Sequence, residues 1–318
     1  MKTEFASTSL AKGMDDGIAR PVLAVRRRGI LCLRPPFVSG HIWTRFQGPN
    51  MQGKSNLDII DHNRQAWDRQ ASEHCEWSRP VTPEMIAAAR AGQWQARLTP
   101  GDLPKGWLPD IRGKKILCLA SAGGQQGPIL AAAGAEVTVF DISEGQLAQD
   151  RLVAEREGLS LAAVQGDMRD LAGFADEAFD IVFHPISNLY VPALQPVWRE
   201  CNRVLKTGGR LLASFYNPIV FVGDRDPGYA EKGLIRPVYA LPFAEAEHLA
   251  ADAVQAKIGR GEALVFGHSL AAQIDGQLQA GFMLAGFHED WQPSPRFLID
   301  RFVPTFIATC AIKCDLGL

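Results

Sequence analysis

Short apolar runs alternate with helical segments through the middle of the chain, and this alternation constrains the fold more than any other feature. The runs are Ile116–Ala120, Val137–Phe140, Ala162–Gln165, Phe179–Phe183 and Arg210–Phe215. The first run has the length and flanking residues of a buried parallel strand, and the other four are predicted as strands of the same sheet. Strands that alternate with helices at this spacing predict a doubly wound α/β sheet with right-handed connections. A ligand of such a sheet binds outside the carboxyl ends of the strands.

Composition and charge exclude several classes of protein. Of the 318 residues, 47% are hydrophobic and 21% are charged, which is typical of a folded globular chain. The net charge of −2 gives no overall positive field that would attract nucleic acid or an anionic membrane. No apolar run approaches the roughly 18 residues of a membrane helix, and the six cysteines are scattered. We therefore expect a cytoplasmic protein with reduced thiols, no metal site, and neither nucleic acid nor membrane as partner.

The first fifty residues differ from the rest of the chain. Residues 1–50 contain eight basic and three acidic residues, so they carry +5 while the whole chain carries −2. Two interpretations stay open: a poorly ordered basic extension before a natural start at Met51, or a peripheral N-terminal arm. Residues 51–109 have a helical, tryptophan-rich pattern followed by a linker rich in Gly and Pro. The sheet domain is expected over residues 110–318.

The loop after the first strand has the composition of a cofactor-binding loop. Residues 122–127 read Ala-Gly-Gly-Gln-Gln-Gly, which departs from GxGxxG only at the first position. Small residues let the backbone approach a ligand, and the helix that follows offers free N–H groups. Asp141 lies 21 residues after Ala120, the spacing at which an acid meets ribose hydroxyls. The pattern predicts an adenosine-type cofactor; the alternative is a tight packing turn with a solvated Asp141.

Motifs along most of the chain resemble those of the class I S-adenosylmethionine-dependent methyltransferases. The resemblance covers roughly residues 60–312 and depends on segments 116–124, 141–143, 166–168, 179–182, 203–209, 280–282 and 304–311. It implies a Rossmann-like methyltransferase fold with a mostly parallel seven-stranded sheet, whose last strand is antiparallel. It also implies an N-terminal helical lid carrying Trp67, Trp77 and Trp94. Residues 217–263 are then an inserted cap over the substrate.

The resemblance implies S-adenosyl-L-methionine as the cofactor and assigns residues to it. The loop would pass the methionine half, Asp141 would hold the ribose hydroxyls, and Asp167 would accept from the adenine amino group. The expected cofactor-binding residues are Ala120, Ser121, Ala122, Gly124, Asp141, Ile142, Gly166, Asp167, Met168 and His184.

Three residues of the first motif depart from the family pattern. The family usually has an acid where Cys118 stands and glycines where Ala120 and Ala122 stand. Alanine fits such a loop if its φ stays negative. Without the acid, a backbone carbonyl or a water must hold the amino group of the cofactor.

The methyl acceptor is expected over the end of the fourth strand. The turn there reads His184-Pro185-Ile186-Ser187-Asn188. His184 is a candidate to take a proton or orient the acceptor, and Asn188 and Tyr190 are candidates to hydrogen-bond it. The alternative is that His184 and Asn188 only tie the turn together.

These features predict S-adenosylmethionine-dependent methyl transfer to a small-molecule acceptor by in-line displacement. Two alternatives stay open: an NAD(P)-dependent oxidoreductase, and a non-catalytic S-adenosylmethionine-binding protein. A nucleic-acid methyltransferase is disfavoured, because His184-Pro185 stands where an Asn/Asp-Pro-Pro motif would follow the fourth strand.

Overall fold

The computed structural model describes residues 58–315, so the prediction for residues 1–50 lies outside the described residues. In chain order the helices and strands are α1 (Ile59–Ser72), α2 (Pro83–Arg90), β1 (Lys115–Leu119), α3 (Gln126–Ala132), β2 (Glu136–Asp141), α4 (Glu144–Glu157), β3 (Leu161–Gln165), β4 (Phe179–His184), α5 (Gln195–Val204) and β5 (Leu205–Tyr216). There follow α6 (Pro227–Glu231), β6 (Phe243–Ala244), α7 (Glu245–His248), α8 (Ala251–Arg260), β7 (Phe266–Gly267), a π-helical turn (Ala271–Asp275), α9 (Gly276–Gln279), β8 (Phe282–Asp290) and β9 (Phe306–Lys313).

Seven strands form the central sheet, in the order β3-β2-β1-β4-β5-β9-β8. The five strands from β1 to β5 run parallel to their neighbours, whereas β9 pairs antiparallel with both β5 and β8. This order confirms the predicted mostly parallel, doubly wound sheet with one reversed strand near the C-terminus. Chain order reverses between β1 and β4, so the ligand-binding crevice is expected there.

The centre of the sheet is buried on both faces. In β1 the side chains of Ile116, Leu117, Cys118 and Leu119 are fully buried. Leu117 and Leu119 pack into the apolar layer that includes α5, and Ile116 and Cys118 pack into the opposite layer, because successive side chains of a strand face opposite ways. A strand covered by helices on both sides is expected to be an unbroken apolar run, as this one is.

The helices begin where the sequence places their caps. The Thr82 hydroxyl accepts a hydrogen bond from the Met85 N–H at 3.4 Å, with Pro83 at the first helical position of α2. The Ser143 hydroxyl accepts from the Gln146 N–H at 3.1 Å and starts α4. Because Ser143 comes two residues after Asp141, this cap fixes where the loop after β2 ends.

The predicted linker, residues 100–109, packs against the sheet. Its Trp107 is buried in the apolar layer that also contains Ile116 and Cys118, as are Leu98 and Ile111 on either side of the linker. Arg210 donates hydrogen bonds to the carbonyls of Gly106 and Trp107, which attaches this segment to β5. The segment therefore belongs to the folded core of the described chain.

The segment predicted as a cap has a small core of its own. Phe243 and Phe221 stack with ring centroids 6.2 Å apart, and Val220 packs beside them. Strands β6 and β7 pair antiparallel above this cluster. No helix between residues 58 and 315 is long and apolar enough to cross a membrane.

Candidate functional site

The loops after β1, β2, β3 and β4 lie at one edge of the sheet, because the strands are parallel. All the residues predicted for the cofactor and acceptor belong to these loops or to the strand ends next to them. The structure therefore brings the predicted residues to a common edge. Their individual contacts decide what each of them can do.

The loop after β1 has three residues in the left-handed region. The φ angles are +46° at Ala120, +68° at Ala122 and +71° at Gly124. Neither alanine therefore keeps the negative φ at which it would fit such a loop without strain. A non-glycine residue in this region costs about 1–2 kcal/mol, so the loop keeps the backbone path that suits glycine and bears strain at two positions.

Substituting glycine for Ala122 should stabilise the protein. The relieved strain of about 1–2 kcal/mol exceeds the entropy that glycine adds to the unfolded chain, so we expect Ala122→Gly to raise the free energy of unfolding by about 0.5–1 kcal/mol. Urea unfolding measures it. The matched control is Ala131→Gly inside α3, which should lower stability by about 1 kcal/mol. Equal destabilisation by both substitutions would contradict strain at Ala122.

Contacts from helix α4 and from the segment between α1 and α2 hold this loop. The N–H of Gly124 donates to Asp150 Oδ1 at 2.8 Å, and its carbonyl accepts from the Val81 N–H at 2.9 Å. The Gln125 side chain donates to the carbonyl oxygens of Glu76 and Arg79 at 2.8 and 3.2 Å. The segment between α1 and α2 thus lies directly on the loop.

Asp141, the predicted ribose ligand, is the last residue of β2. Its carboxylate accepts from the Ser143 N–H at 2.8 Å and forms no salt bridge with any residue in the described range. Burial raises the pKa of Asp141 to about 7, and the nearby Asp68 carboxylate raises it further while the Ser143 amide opposes the shift. An acid with an amide donor and no basic partner is suited to accept hydroxyl hydrogen bonds.

Asp68 joins helix α1 to the start of α4. Its Oδ1 accepts from the Ser143 hydroxyl at 2.7 Å and from the Gly145 N–H at 3.0 Å, while its Oδ2 accepts from Arg64 at 3.0 Å. A carboxylate at the N-terminus of a helix also interacts favourably with the helix dipole. The helix predicted as a lid is therefore anchored next to Asp141.

The turn after β3 contains the predicted adenine-binding residues. A side chain at Gly166 would lie 2.3 Å from the Phe140 ring, so only glycine fits there. The Asp167 carboxylate accepts from the Arg169 guanidinium at 2.9–3.0 Å and is 26% exposed. Met168 is buried in the apolar layer beside Phe140. The Arg169 pair is a competitor for the contact expected between Asp167 and an adenine amino group.

Ser121 and Ile142 occupy the neighbouring turns. Ser121 is buried within the loop after β1. The Ile142 carbonyl accepts from the Gln165 side chain at 3.0 Å, which links the turns after β2 and β3. The burial of Ser121 and the hydrogen bond to the Ile142 carbonyl are both compatible with a cofactor that approaches the backbone of these turns.

Both ring nitrogens of His184 are engaged inside the protein. Nδ1 donates to the Leu119 carbonyl at 2.9 Å, and Nε2 lies 2.7 Å from the side-chain amide of Asn188. The amide of Asn188 is in turn 2.8 Å from that of Gln273. His184 is fully buried, and burial lowers its pKa. Of the two roles that the sequence left open, this geometry favours tying the turn together over proton transfer.

A second histidine holds the same turn from the cap side. His268 Nε2 lies 3.1 Å from the Asn188 carbonyl and 3.0 Å from the Val191 carbonyl. It can donate only one proton there, shared between the two oxygens. Burial lowers its pKa. The turn after β4 is therefore a fixed structure in which Asn188 has partners on both sides.

Tyr190 lies in the turn after β4, and Tyr216 is the last residue of the neighbouring strand β5. The Tyr190 ring meets Trp67 of α1 edge-on, with centroids 5.1 Å apart. Burial raises the pKa of the Tyr190 phenol, and Tyr216 raises it further. The Tyr216 hydroxyl accepts from Arg296. Arg296 was not selected from the sequence. The only indication there is its position between the end of β8 and the start of β9, which lie at this edge.

No group of three or more His, Cys, Asp or Glu side chains in residues 58–315 could hold a metal ion. A surface pocket of about 490 Å³ lies at the opposite edge of the sheet, between α2 and the turns before β1 and β2. It contains none of the predicted site residues. The candidate site is therefore the carboxyl edge.

The residues at this edge fit an adenosyl cofactor. Asp141 has no basic partner, and the loop after β1 keeps the left-handed backbone path despite its two alanines. Gln146 Oε1 is a buried acceptor without a hydrogen bond in the described structure, next to Gly123. These features provide acceptors for hydroxyl and amino donors.

Comparisons with known proteins agree with this fit. A model of the methyltransferase domain matches residues 117–213. The chain is 46% identical over 256 residues to the uncharacterized methyltransferase YbaJ of Bacillus subtilis, covering 80% of this chain and 98% of that protein.

Two solved structures share the fold. An S-adenosylmethionine-dependent methyltransferase from Mesorhizobium loti has a TM-score of 0.51 and 19% identity, covering 65% of this chain and 94% of that one. A similar protein from Listeria monocytogenes has a TM-score of 0.50 and 18% identity, with coverage of 72% and 100%. The chain therefore belongs to the class I S-adenosylmethionine-dependent methyltransferases, and S-adenosylmethionine is its cofactor.

Proposed function

We propose that the protein transfers the methyl group of S-adenosylmethionine to a small-molecule acceptor by direct in-line displacement. The observation that carries this proposal is Asp141, an acid without a basic partner at the end of β2 and next to the loop after β1. When bound, the cofactor supplies a methyl group that is already electrophilic. The chain then has to bind the cofactor and the acceptor, align their reacting atoms and exclude water from them.

The position of each loop supports one set of cofactor contacts. Asp141 would accept hydrogen bonds from the ribose hydroxyls, and the segment from Ala120 to Gly124 would hold the methionine half. Gly166, Asp167 and Met168 would hold the adenine ring. The salt bridge between Arg169 and Asp167 must loosen, or share its oxygens, for Asp167 to accept from the adenine amino group.

The acceptor binds between the turn after β4 and the end of β5. Tyr190 and Tyr216 provide hydroxyls and ring faces there, and Arg296 donates to Tyr216. His184 and Asn188 act by holding the turn that carries Tyr190, since their polar groups are already paired. Helix α1 and the cap exclude water from the reacting atoms.

Calorimetry with S-adenosylhomocysteine and NADH tests the proposal. We expect the wild type to bind S-adenosylhomocysteine and not NADH. Asp141→Ala should weaken binding about tenfold to a hundredfold, because hydrogen bonds to a charged group contribute about 1.5–3 kcal/mol. Asp252→Ala, at an exposed acid on α8, is the matched control and should bind like the wild type. Tighter binding of NADH than of S-adenosylhomocysteine would contradict the proposal and favour the oxidoreductase.

A further inference from the structure

Asp150 is a buried acid beneath the loop after β1. It lies in the middle of α4, only 1% exposed, and its Oδ1 accepts from the Gly124 N–H at 2.8 Å. It forms no salt bridge with the residues from 58 to 315. Burying an acid without a cation is costly, so a buried carboxyl is expected to have a specific partner. Here that partner is the left-handed Gly124.

Asp150 also acts electrostatically on β1, because the pKa of the Cys118 thiol is raised by burial and further by Asp150. A side chain at Gly127 would lie 3.5 Å from Asp150 Oδ1, so the carboxyl lies next to the first turn of α3. Asp150 thus contacts the loop after β1 from helix α4.

We infer that Asp150 is a positioning residue for the cofactor, which holds the loop after β1 through the Gly124 N–H. The inference rests on the proposed cofactor site. Gly124 has a left-handed backbone whose N–H would otherwise be buried without a partner. Helix α4 begins at Ser143, next to Asp141, and carries Asp150 two turns later. One helix therefore fixes both the ribose acid and the glycine-containing loop.

The single hydrogen bond of Asp150 indicates which substitution should preserve its role. Burial raises its pKa well above the ordinary value and the Asp141 carboxylate adds to the shift, while the Gly124 amide and Arg151 oppose it. The side-chain oxygen of an asparagine can accept the same N–H from a side chain of nearly the same size and shape. Asparagine should therefore replace it, whereas alanine leaves Gly124 without a partner.

Asp150→Asn and Asp150→Ala test the inference in the full chain. Binding of S-adenosylhomocysteine is measured by calorimetry, and hydrogen exchange of the Gly124 amide by NMR. Asp150→Asn should bind within about threefold of the wild type, and Asp150→Ala at least about tenfold more weakly with faster Gly124 exchange. Val204→Ala, at an equally buried site on α5, is the control for loss of stability and should leave both readouts unchanged.

Each result either supports or overturns the positioning role of Asp150. Wild-type affinity in a folded Asp150→Ala, or a tenfold loss in Asp150→Asn, overturns the inference. If Asp150→Ala does not fold, the inference is tested by Asp150→Asn alone, through its affinity for S-adenosylhomocysteine and the hydrogen exchange of its Gly124 amide.

Failure of the inference is distinguishable from failure of the proposed function. If the wild type does not bind S-adenosylhomocysteine, the proposed cofactor site is wrong. If the wild type binds and Asp141→Ala weakens binding while Asp150→Ala does not, only the role of Asp150 is wrong.

Discussion

Binding of S-adenosylhomocysteine should weaken by up to about tenfold for each pH unit below 7. Asp141 has a pKa of about 7, chiefly because it is buried and secondly because Asp68 lies near it. An ionised carboxylate accepts hydrogen bonds from both ribose hydroxyls and carries a full negative charge. Protonation removes that charge and makes the carboxyl a weaker acceptor. Binding that requires the ionised form loses a factor of ten per unit once pH falls below the pKa.

Calorimetry between pH 5 and pH 9 measures this dependence. The amino and carboxyl groups of the ligand keep their charges between pH 5 and 7, so they add no slope there. Asp141→Asn is the matched variant and should bind more weakly with a flat profile below pH 7. A wild-type affinity that is constant from pH 5 to 8 would contradict a titrating Asp141 in the site.

The raised pKa of Asp141 makes the folded protein less stable as pH rises, whereas it makes ligand binding stronger. The pKa of Asp141 is about 7 in the folded chain, whereas the ordinary value for an aspartate is 3.8, so the folded state binds more protons between these values. Its contribution to the free energy of unfolding therefore falls as pH rises from about 4 to 7. Asp141→Asn should remove this fall. Ligand binding and folding thus favour different protonation states of one residue.

The elements of the sheet could be predicted from the sequence because their signals are local. An unbroken apolar run such as Ile116–Leu119, bounded by turn residues, contains enough information to place a strand. Asp141 and Gly166 could be placed for the same reason, since each directly follows or ends such a run. Parallel strands then bring these positions to one edge without any knowledge of side-chain contacts.

Contacts between distant segments could not be predicted. Asp150 is an acid on the buried face of α4, beside Leu147 and Val153, and only the tertiary structure shows that Gly124 meets it. The left-handed φ of Ala120 and Ala122 is likewise imposed by the surrounding loop against the preference of alanine. These departures from local rules lie at the cofactor loop, where strain and buried charge are expected to collect.

His184 provides the second large effect, because it joins the ends of β1 and β4 through a buried polar network. Its Nδ1 donates to the Leu119 carbonyl, so a neutral ring can only accept at Nε2. Burial lowers its pKa and keeps the ring neutral. The structure has Asn188 Oδ1 facing Nε2 and the Asn188 NH2 donating to Gln273 Oε1, so this tautomer requires both side-chain amides to be turned, with Asn188 donating to Nε2 and accepting from Gln273. The network is complete with no imidazole nitrogen left for a substrate.

His184→Ala should lower the free energy of unfolding by about 3 kcal/mol, because it leaves a cavity and two unpaired polar groups. Urea unfolding measures the loss, and His288→Ala, at a partly exposed site on β8, is the control with little expected change. The His184 ring should show the neutral Nδ1–H tautomer in its nitrogen NMR spectrum at pH 7. An unfolding free energy equal to that of the wild type would contradict the network.

The pH dependence of stability in a second variant, His184→Gln, separates the two roles of His184. The pKa of a histidine is near 6.5 in the unfolded chain and lower in the folded one, so the unfolded state binds the proton first. The stability contributed by His184 is therefore complete above about pH 6.5 and is lost as pH falls below it. The difference in unfolding free energy between wild type and His184→Gln should shrink in that window. A ring that serves as a general base instead needs a free nitrogen and a pKa near the working pH, so a pH-independent difference would support the catalytic alternative.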